Sequence, residues 1–419
     1  MYTLRPLHWY LVGNSSWFLA FGAQGVLFAW LVTMVLRESP ALVGVAQMTL
    51  LLPGLLLLLV GGGIADRYGG VRVASTAQGL AAFPPLVLAL IIGLDQLSYP
   101  VMLGYAVCIG VLQAFVTPAR DGLLNDVAGA SIQRTVMLAS LTQFGFQIVG
   151  VLVAGLAETV TAMTVLCFQS AILLTGAVAL RRIEVPKVVR STPHLDISAA
   201  IVEGARSVLR SPAIRMVCFQ NIAMGLFFMG SFIVTSPLLV REVFDGSAAD
   251  LSLVNAANAL GLSSTIAVLL RMGDVQRPGR MLLLSQGIGA LILLTGGLVS
   301  SLGAFMVVMF FWGVAGGFAM TMARTIVQEL APPDQRGRIM SFYGFTFMGA
   351  GPLGALLNGF LVSEFGAQLA LMMVSGTMAA FMAVVGWYGP LWQLRPHHTL
   401  PPIPPPIPHP APHAAPNQV

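Results

Sequence analysis

Twelve apolar runs, each close to 20 residues or longer, dominate this chain and are cut apart by charges and by Gly/Pro/Asn/Asp clusters. A helix needs about 20 largely apolar residues to cross the ~30 Å hydrocarbon core of a bilayer, so each run reads as a membrane span. The approximate extents are 10–36, 41–65, 73–93, 100–118, 136–157 and 160–180, then 213–240, 250–270, 280–299, 302–323, 339–361 and 367–389. The fourth and tenth runs can continue past Arg120 and Arg324 as helices that emerge from the membrane. Only 9% of the 419 residues are charged and 57% are hydrophobic, against about 25% charged in soluble domains. So little charge cannot coat a soluble surface of this size, which excludes a soluble enzyme, a disordered regulator and a nucleic-acid binder. The first run is too long for a secretory leader, whose apolar part spans about 7–15 residues, and is expected to be retained. Cys108, Cys167 and Cys218 all lie inside apolar runs and are expected to be buried single thiols.

The few charges orient the spans. With twelve crossings and both termini in the cytoplasm, 19 of the 21 Lys/Arg fall on the cytoplasmic side, and only Arg37 and Arg241 lie outside. That asymmetry is the positive-inside pattern and implies a multi-pass protein of the cell's inner (plasma) membrane. The longest connection, Arg181 to Pro212, falls near the middle. It contains an amphipathic stretch from Leu195 to Arg210 that suits the inner membrane surface. The expected organisation is a six-helix bundle over 1–180, a cytoplasmic linker over 181–212, a second six-helix bundle over 213–394, and a Pro/His-rich cytoplasmic tail over 395–419. With ten prolines in the 24 residues from Pro396, the tail is expected to be disordered and polyproline-like.

Polar positions repeat between the halves at nearly one offset. Arg37-Glu38 recurs as Arg241-Glu242, and the span from Asp66 to Arg72 recurs from Asp274 to Arg280. Thr117-x-Ala119-Arg120 recurs as Thr321-x-Ala323-Arg324, and Gln133-Arg134 recurs as Gln335-Arg336. Four matches in register imply duplication of a six-span unit, an arrangement common among secondary transporters. The expected fold is therefore an all-α integral membrane protein of twelve transmembrane helices in two pseudo-symmetric six-helix bundles. Small residues such as Gly349, Gly351, Gly354 and Gly359 would let its helices pack closely.

Gly62-Gly63-Ile64-Ala65-Asp66-Arg67-Tyr68-Gly69-Gly70-Val71-Arg72 resembles the signature loop of the major facilitator superfamily. Thr117-Pro118-Ala119-Arg120-Asp121-Gly122, and Gln335-Arg336-Gly337-Arg338 leading to Gly349-Ala350-Gly351-Pro352, resemble its enterobactin-exporter-like, multidrug-efflux branch. The chain departs from that pattern in three places: Gly70 and Val71 replace basic residues, the fourth span lacks its membrane arginine before Gln113, and Gly150–Gly155 lacks a proline. The resemblance implies a gating loop made of Gly62, Asp66, Arg67, Gly69, Arg72 and Arg120, with Asp274, Arg280 and Arg324 as its second-half counterpart. In it Asp66 would latch onto Arg67, Arg120 or the positive N-terminus of the eleventh span, Gly62 and Gly69 would allow a tight turn, and opening the cytoplasmic side would break the latch. The alternative is that Asp66 and Arg67 are solvated loop charges.

Amides inside the spans must face other helices or water rather than lipid. Asn14, Gln24, Gln113, Gln143 and Gln220 are the candidate lining of a cavity for a largely uncharged, amphiphilic molecule; interhelical bonding is the alternative use of each. No Asp, Glu, His, Lys or Arg falls near a span centre. Candidate proton carriers therefore stand only at helix ends: Glu158, Asp126 and Glu329. No Ser/His/Asp set, metal-ligand cluster or nucleotide motif is present, so neither catalysis nor a cofactor is expected. The resulting expectation is a monomeric secondary transporter working by alternating access, exporting drug- or siderophore-type compounds with protons as the candidate coupling ion. Its partners would be the small-molecule substrate and the lipid bilayer, without nucleic acid. The alternative is use of the same scaffold as a lipid flippase or membrane receptor.

Overall fold

The computed structural model describes residues 5–128, 132–184, 206, 208–272, 275–332 and 336–394. Within them, twelve helices are long and apolar enough to cross a membrane. They are α1 (Pro6–Val35), α2 (Pro40–Tyr68), α3 (Gly70–Gly93), α4 (Tyr99–Val127), α5 (Ile132–Ala154), α6 (Ala162–Arg181), α7 (Pro212–Glu242), α8 (Ala248–Met272), α9 (Pro278–Gly296), α10 (Leu302–Leu330), α11 (Arg336–Phe365) and α12 (Ala367–Tyr388). Most of the inter-half connection, and all of the tail from 395, lie outside the described residues.

Local sequence explains where the helices begin and break. Prolines stand in the first turn of α2, α4, α7 and α9, where the missing N–H costs nothing. α3 pauses between Leu80 and Phe83, just before Pro84 and Pro85, because proline cannot supply the backbone donors that a continuous helix needs. As expected from the sequence, α4 and α10 run on past Arg120 and Arg324. α1 contains one widened π-helical turn, Leu31–Val35, and α7 contains two, Met224–Met229 and Ser231–Thr235. Beyond the end of each helix stands a residue in the left-handed region, Arg37 at φ 52° and Asp245 at φ 47°.

The duplication is visible in the packing. In the first half Asn14 Nδ2 donates to Ala139 O (3.1 Å) and Thr142 Oγ1 (3.0 Å), tying α1 to α5. In the second half Asn221 Nδ2 donates to Tyr343 O (2.9 Å) and Thr346 Oγ1 (3.1 Å), tying α7 to α11. The same pairs also share a glycine contact. A Cβ on Gly150 would lie 2.0 Å from Leu19 O, and one on Gly354 would lie 2.6 Å from Leu226 O, so only glycine lets either pair approach so closely. Between the halves, α2 packs on α11 and α5 on α8. The outward faces carry large exposed apolar side chains, among them Leu90, Leu141, Leu291 and Leu353, as lipid-facing helices require. That surface also corrects one expectation: Cys218 is buried, but Cys108 is exposed, because a thiol in an apolar run can face the bilayer as readily as the core.

Replacing Gly150 by Val is expected to push α1 and α5 apart and destabilise the protein by about 1–3 kcal/mol, the usual cost of overpacking. Thermal unfolding of the purified variant in detergent would read this as a lowered midpoint.

Candidate functional site

The polar groups of the first half converge on α1. Gln24, 5% exposed, accepts hydrogen bonds through Oε1 from the Tyr105 hydroxyl of α4 and from Gln169 Nε2 of α6, the latter at 3.0 Å. Gln169 Nε2 also donates to Ala20 O at 3.3 Å. These bonds hold both amides and leave Gln24 Nε2 and Gln169 Oε1 buried without partners among the described residues. A buried, unpaired amide atom costs about 1–3 kcal/mol, so this free donor and acceptor are poised for a guest or a water. They line a crevice of about 20 Å³ with Trp17, Phe21 and Gln113, room for about one water. Farther along α1, Gln78 Nε2 donates to Ser16 Oγ at 2.8 Å.

The second half is built differently. Among the described residues, Gln220 Nε2 meets only Met382 Sδ at 3.8 Å, Gln286 Nε2 meets Met224 Sδ at 2.9 Å, and the Oε1 atoms of both are unpartnered. Thioether sulfur is a weak acceptor. In the same half, Trp312 packs edge-on against Phe228 with ring centroids 5.6 Å apart, and its Nε1–H has no partner. The spans thus offer aromatic surface and uncharged donors and acceptors.

Among the five amides proposed for a cavity, the structure brings Gln24 and Gln113 together at the crevice. Asn14 is spent on bonding α1 to α5, Gln143 is half-buried on α5, and Gln220 lies apart in the second half. Gln169 and Gln78 are not among the sequence candidates, although each is an amide inside an apolar run. Their importance rests on the neighbours that the fold brings to them.

The basic end of the bundle holds the signature loop. α2 continues to Tyr68, so Gly62 sits inside a helix, and the tight turn rests on Gly69 alone, at φ 91°. Asp66 and Arg72 are exposed, and Asp66 has no hydrogen bond or ion pair among the described residues. Arg67 lies over its neighbour Tyr68, 5.4 Å from the ring centroid. Arg120 is 3% exposed, its guanidinium 4.4 Å from the Phe18 ring centroid and 5.7 Å from that of Trp17. A desolvated cation over aromatic faces is stabilised by their π density. In the second half Arg324 is exposed, Asp274 lies outside the described residues, and Arg280 is committed elsewhere. Its Nε donates to Trp392 O at 2.8 Å and its guanidinium stacks 5.1 Å from that ring, which docks the end of the described chain. Asp126 and Glu329 are exposed near the ends of α4 and α10.

At the opposite end the halves are bonded. Glu158, in the short turn Ala157–Val160 between α5 and α6, accepts through Oε1 from Trp30 Nε1 (3.0 Å) and from the backbone N–H of Ala248, the first residue of α8 (2.8 Å). Arg241 of α7 donates through NH1 to Thr33 O and Glu38 O, both at 2.9 Å, and through NH2 to Glu242. Thr33 O lies in the last, widened turn of α1, where carbonyls run out of backbone donors.

The profile of the transmembrane secretion effector family matches residues 10–399. The chain is similar to the multidrug efflux pump Tap of Mycolicibacterium fortuitum, 28% identical over 391 residues, which covers 86% of this chain and 91% of that protein. Its fold is similar to that of the nucleoside transporter NupG (TM-score 0.74, 11% identity, 93% of this chain and 99% of that one). It is also similar to a bacterial homologue of the human lysosomal transporter Spinster in its inward-facing, occupied conformation (TM-score 0.70, 14% identity, 92% and 98% covered).

Replacing Gln169 by Leu removes a buried donor that serves two acceptors and is expected to cost about 1–3 kcal/mol. Gln143→Leu, on a half-buried side chain with no described partner, should stay within about 0.5 kcal/mol. Thermal unfolding of the two variants side by side checks the difference.

Proposed function

This chain belongs to the transmembrane secretion effector family of the major facilitator superfamily, and from that premise we propose that it exports small, largely uncharged amphiphilic compounds by alternating access. The observation that carries the substrate class is the lining of the crevice: free amide donor and acceptor atoms on Gln24 and Gln169 beside the rings of Trp17 and Phe21. A carrier of charged solutes would need a compensating charge there. The efflux pump relative, aligned over most of both chains, supports the outward direction.

The basic end is assigned to the cytoplasm, with both termini on that side, on the positive-inside distribution of Lys and Arg. The protein then stands with its outer ends joined and Asp66 at the cytoplasmic mouth without a partner among the described residues. In this reading Asp66 pairs with the start of α11 when the cytoplasmic side closes, and Arg120 holds α4 against α1 through Phe18 and Trp17. Gln24 and Gln113 contact the substrate, with Gln169 positioning Gln24. Asp126 and Glu329 remain candidate proton carriers at the cytoplasmic helix ends.

Reconstitution into liposomes tests the reading. Flux of fluorescent amphiphilic drugs is expected, and Gln24→Leu should raise the half-saturating concentration about tenfold, the effect of losing about 1.4 kcal/mol of binding. Flux unchanged by an imposed pH gradient would remove proton antiport, and no flux of any amphiphile would remove efflux itself. Asp66→Asn is expected to slow transport and shift accessibility labelling toward the cytoplasmic-open form; unchanged labelling and flux would discard the latch.

A further inference from the structure

The bonds at the outer end join the two halves through unlike chemistry at two helix ends. α8 begins with its own capping box: Asp250 Oδ2 accepts from Ser247 N and Ser247 Oγ, both at 2.8 Å, and Asp250 N–H donates to Ser247 Oγ at 3.2 Å. The Ala248 N–H is served instead from the other half by Glu158, whose Oε1 also accepts a hydrogen bond from the Trp30 indole N–H. A carboxylate at a helix N-terminus is favoured by the positive end of the helix dipole. Arg241 does the converse, crossing from α7 to Thr33 O in the last turn of α1, where the dipole favours a cation, and to Glu38 O in the connection that follows. Each half thus completes a helix terminus of the other.

We propose that Glu158 and Arg241 form the outer gate clasp of the transport cycle, each closing a helix terminus of the opposite half. The proposal rests on assigning this end to the outside. The halves cannot part there without leaving the Ala248 N–H and the carbonyls of Thr33 and Glu38 without these partners. A carboxylate brings a charge to the α8 terminus that a neutral amide does not. Glu158 is exposed on the outer face while the clasp is shut.

Other charges come from three neighbouring elements. α8 brings Asp250, already bonded to Ser247; α7 and its following turn bring Arg241 with Glu242 as its ion-pair partner, and Asp245; the end of α1 brings Arg37 and Glu38. The start of α6 presents Thr161 and Thr164, bonded to each other, and no charge.

The experiment follows the distance between spin labels at Val160→Cys and Glu364→Cys, one exposed outer position in each half, in full-length protein in nanodiscs with the three native cysteines replaced by Ala. A single short distance is expected in the wild type. Glu158→Gln, nearly isosteric, should raise the open-to-closed ratio at least about fivefold, the lower range of typical coupling between sites. Glu158→Ala and Arg241→Ala should open the outer end further, whereas Asp250→Asn, which alters a bond within one half, should keep the wild-type distance. Wild-type distances in both Glu158→Gln and Arg241→Ala would overturn the clasp. Because no substrate enters this measurement, its failure is distinct from a failure to find efflux in liposomes.

Discussion

Lipid is the solvent for most of this chain, and its inability to hydrogen bond governs how the helices form and pack. Every backbone polar group inside the membrane must be satisfied within the protein, so twelve helices form. Association between them gains little from hydrophobic burial. What holds the helices together is close approach and a few placed polar bonds. Gly150 and Gly354 admit the backbones of α1 and α7 at equivalent places, and Asn14 and Asn221 each bond a carbonyl and a threonine hydroxyl across the same helix pair. One solution to the packing problem is used twice, which is the physical content of the sequence repeat.

The same constraint sends charge to the two ends, where it does different work. At the basic end Asp66 has no partner among the described residues and Arg120 is withdrawn onto Phe18, while the other end is bridged by Glu158 and Arg241. Between the ends, the two halves no longer match in chemistry. The first presents an amide network and the second presents methionine sulfur and aromatic rings.

Much of the architecture is legible in the sequence because hydropathy is a local property. Span number, the extension of α4 and α10, and the six-plus-six organisation come from run lengths and repeated polar positions. The candidate site is less legible. Gln24 and Gln113 stand out because amides are conspicuous among apolar residues, yet Asn14 looks identical by that criterion and serves as helix bonding. Gln169 gives no stronger signal than its neighbours, and the turn expected at Gly62 and Gly69 is made by Gly69 alone. Arg280 repeats the position of Arg72 in sequence and bonds Trp392 instead. In each case the role depends on which helix faces the residue, and a single span does not encode its neighbours.

The sequence by itself determined the solvent, the number of crossings, the duplication and the confinement of charge to the helix ends, since each comes from how many apolar residues stand in a row and what interrupts them. Only the tertiary structure decided which amides are spent on packing and which keep a free atom, and which end of the bundle is joined. Glu158 shows the difference most clearly. Read along the chain it is one exposed carboxylate in a short turn; in three dimensions it meets the first amide of a helix ninety residues away. Hydrogen bonds reach about 3 Å, and only the packing of the two halves brings those atoms within that reach.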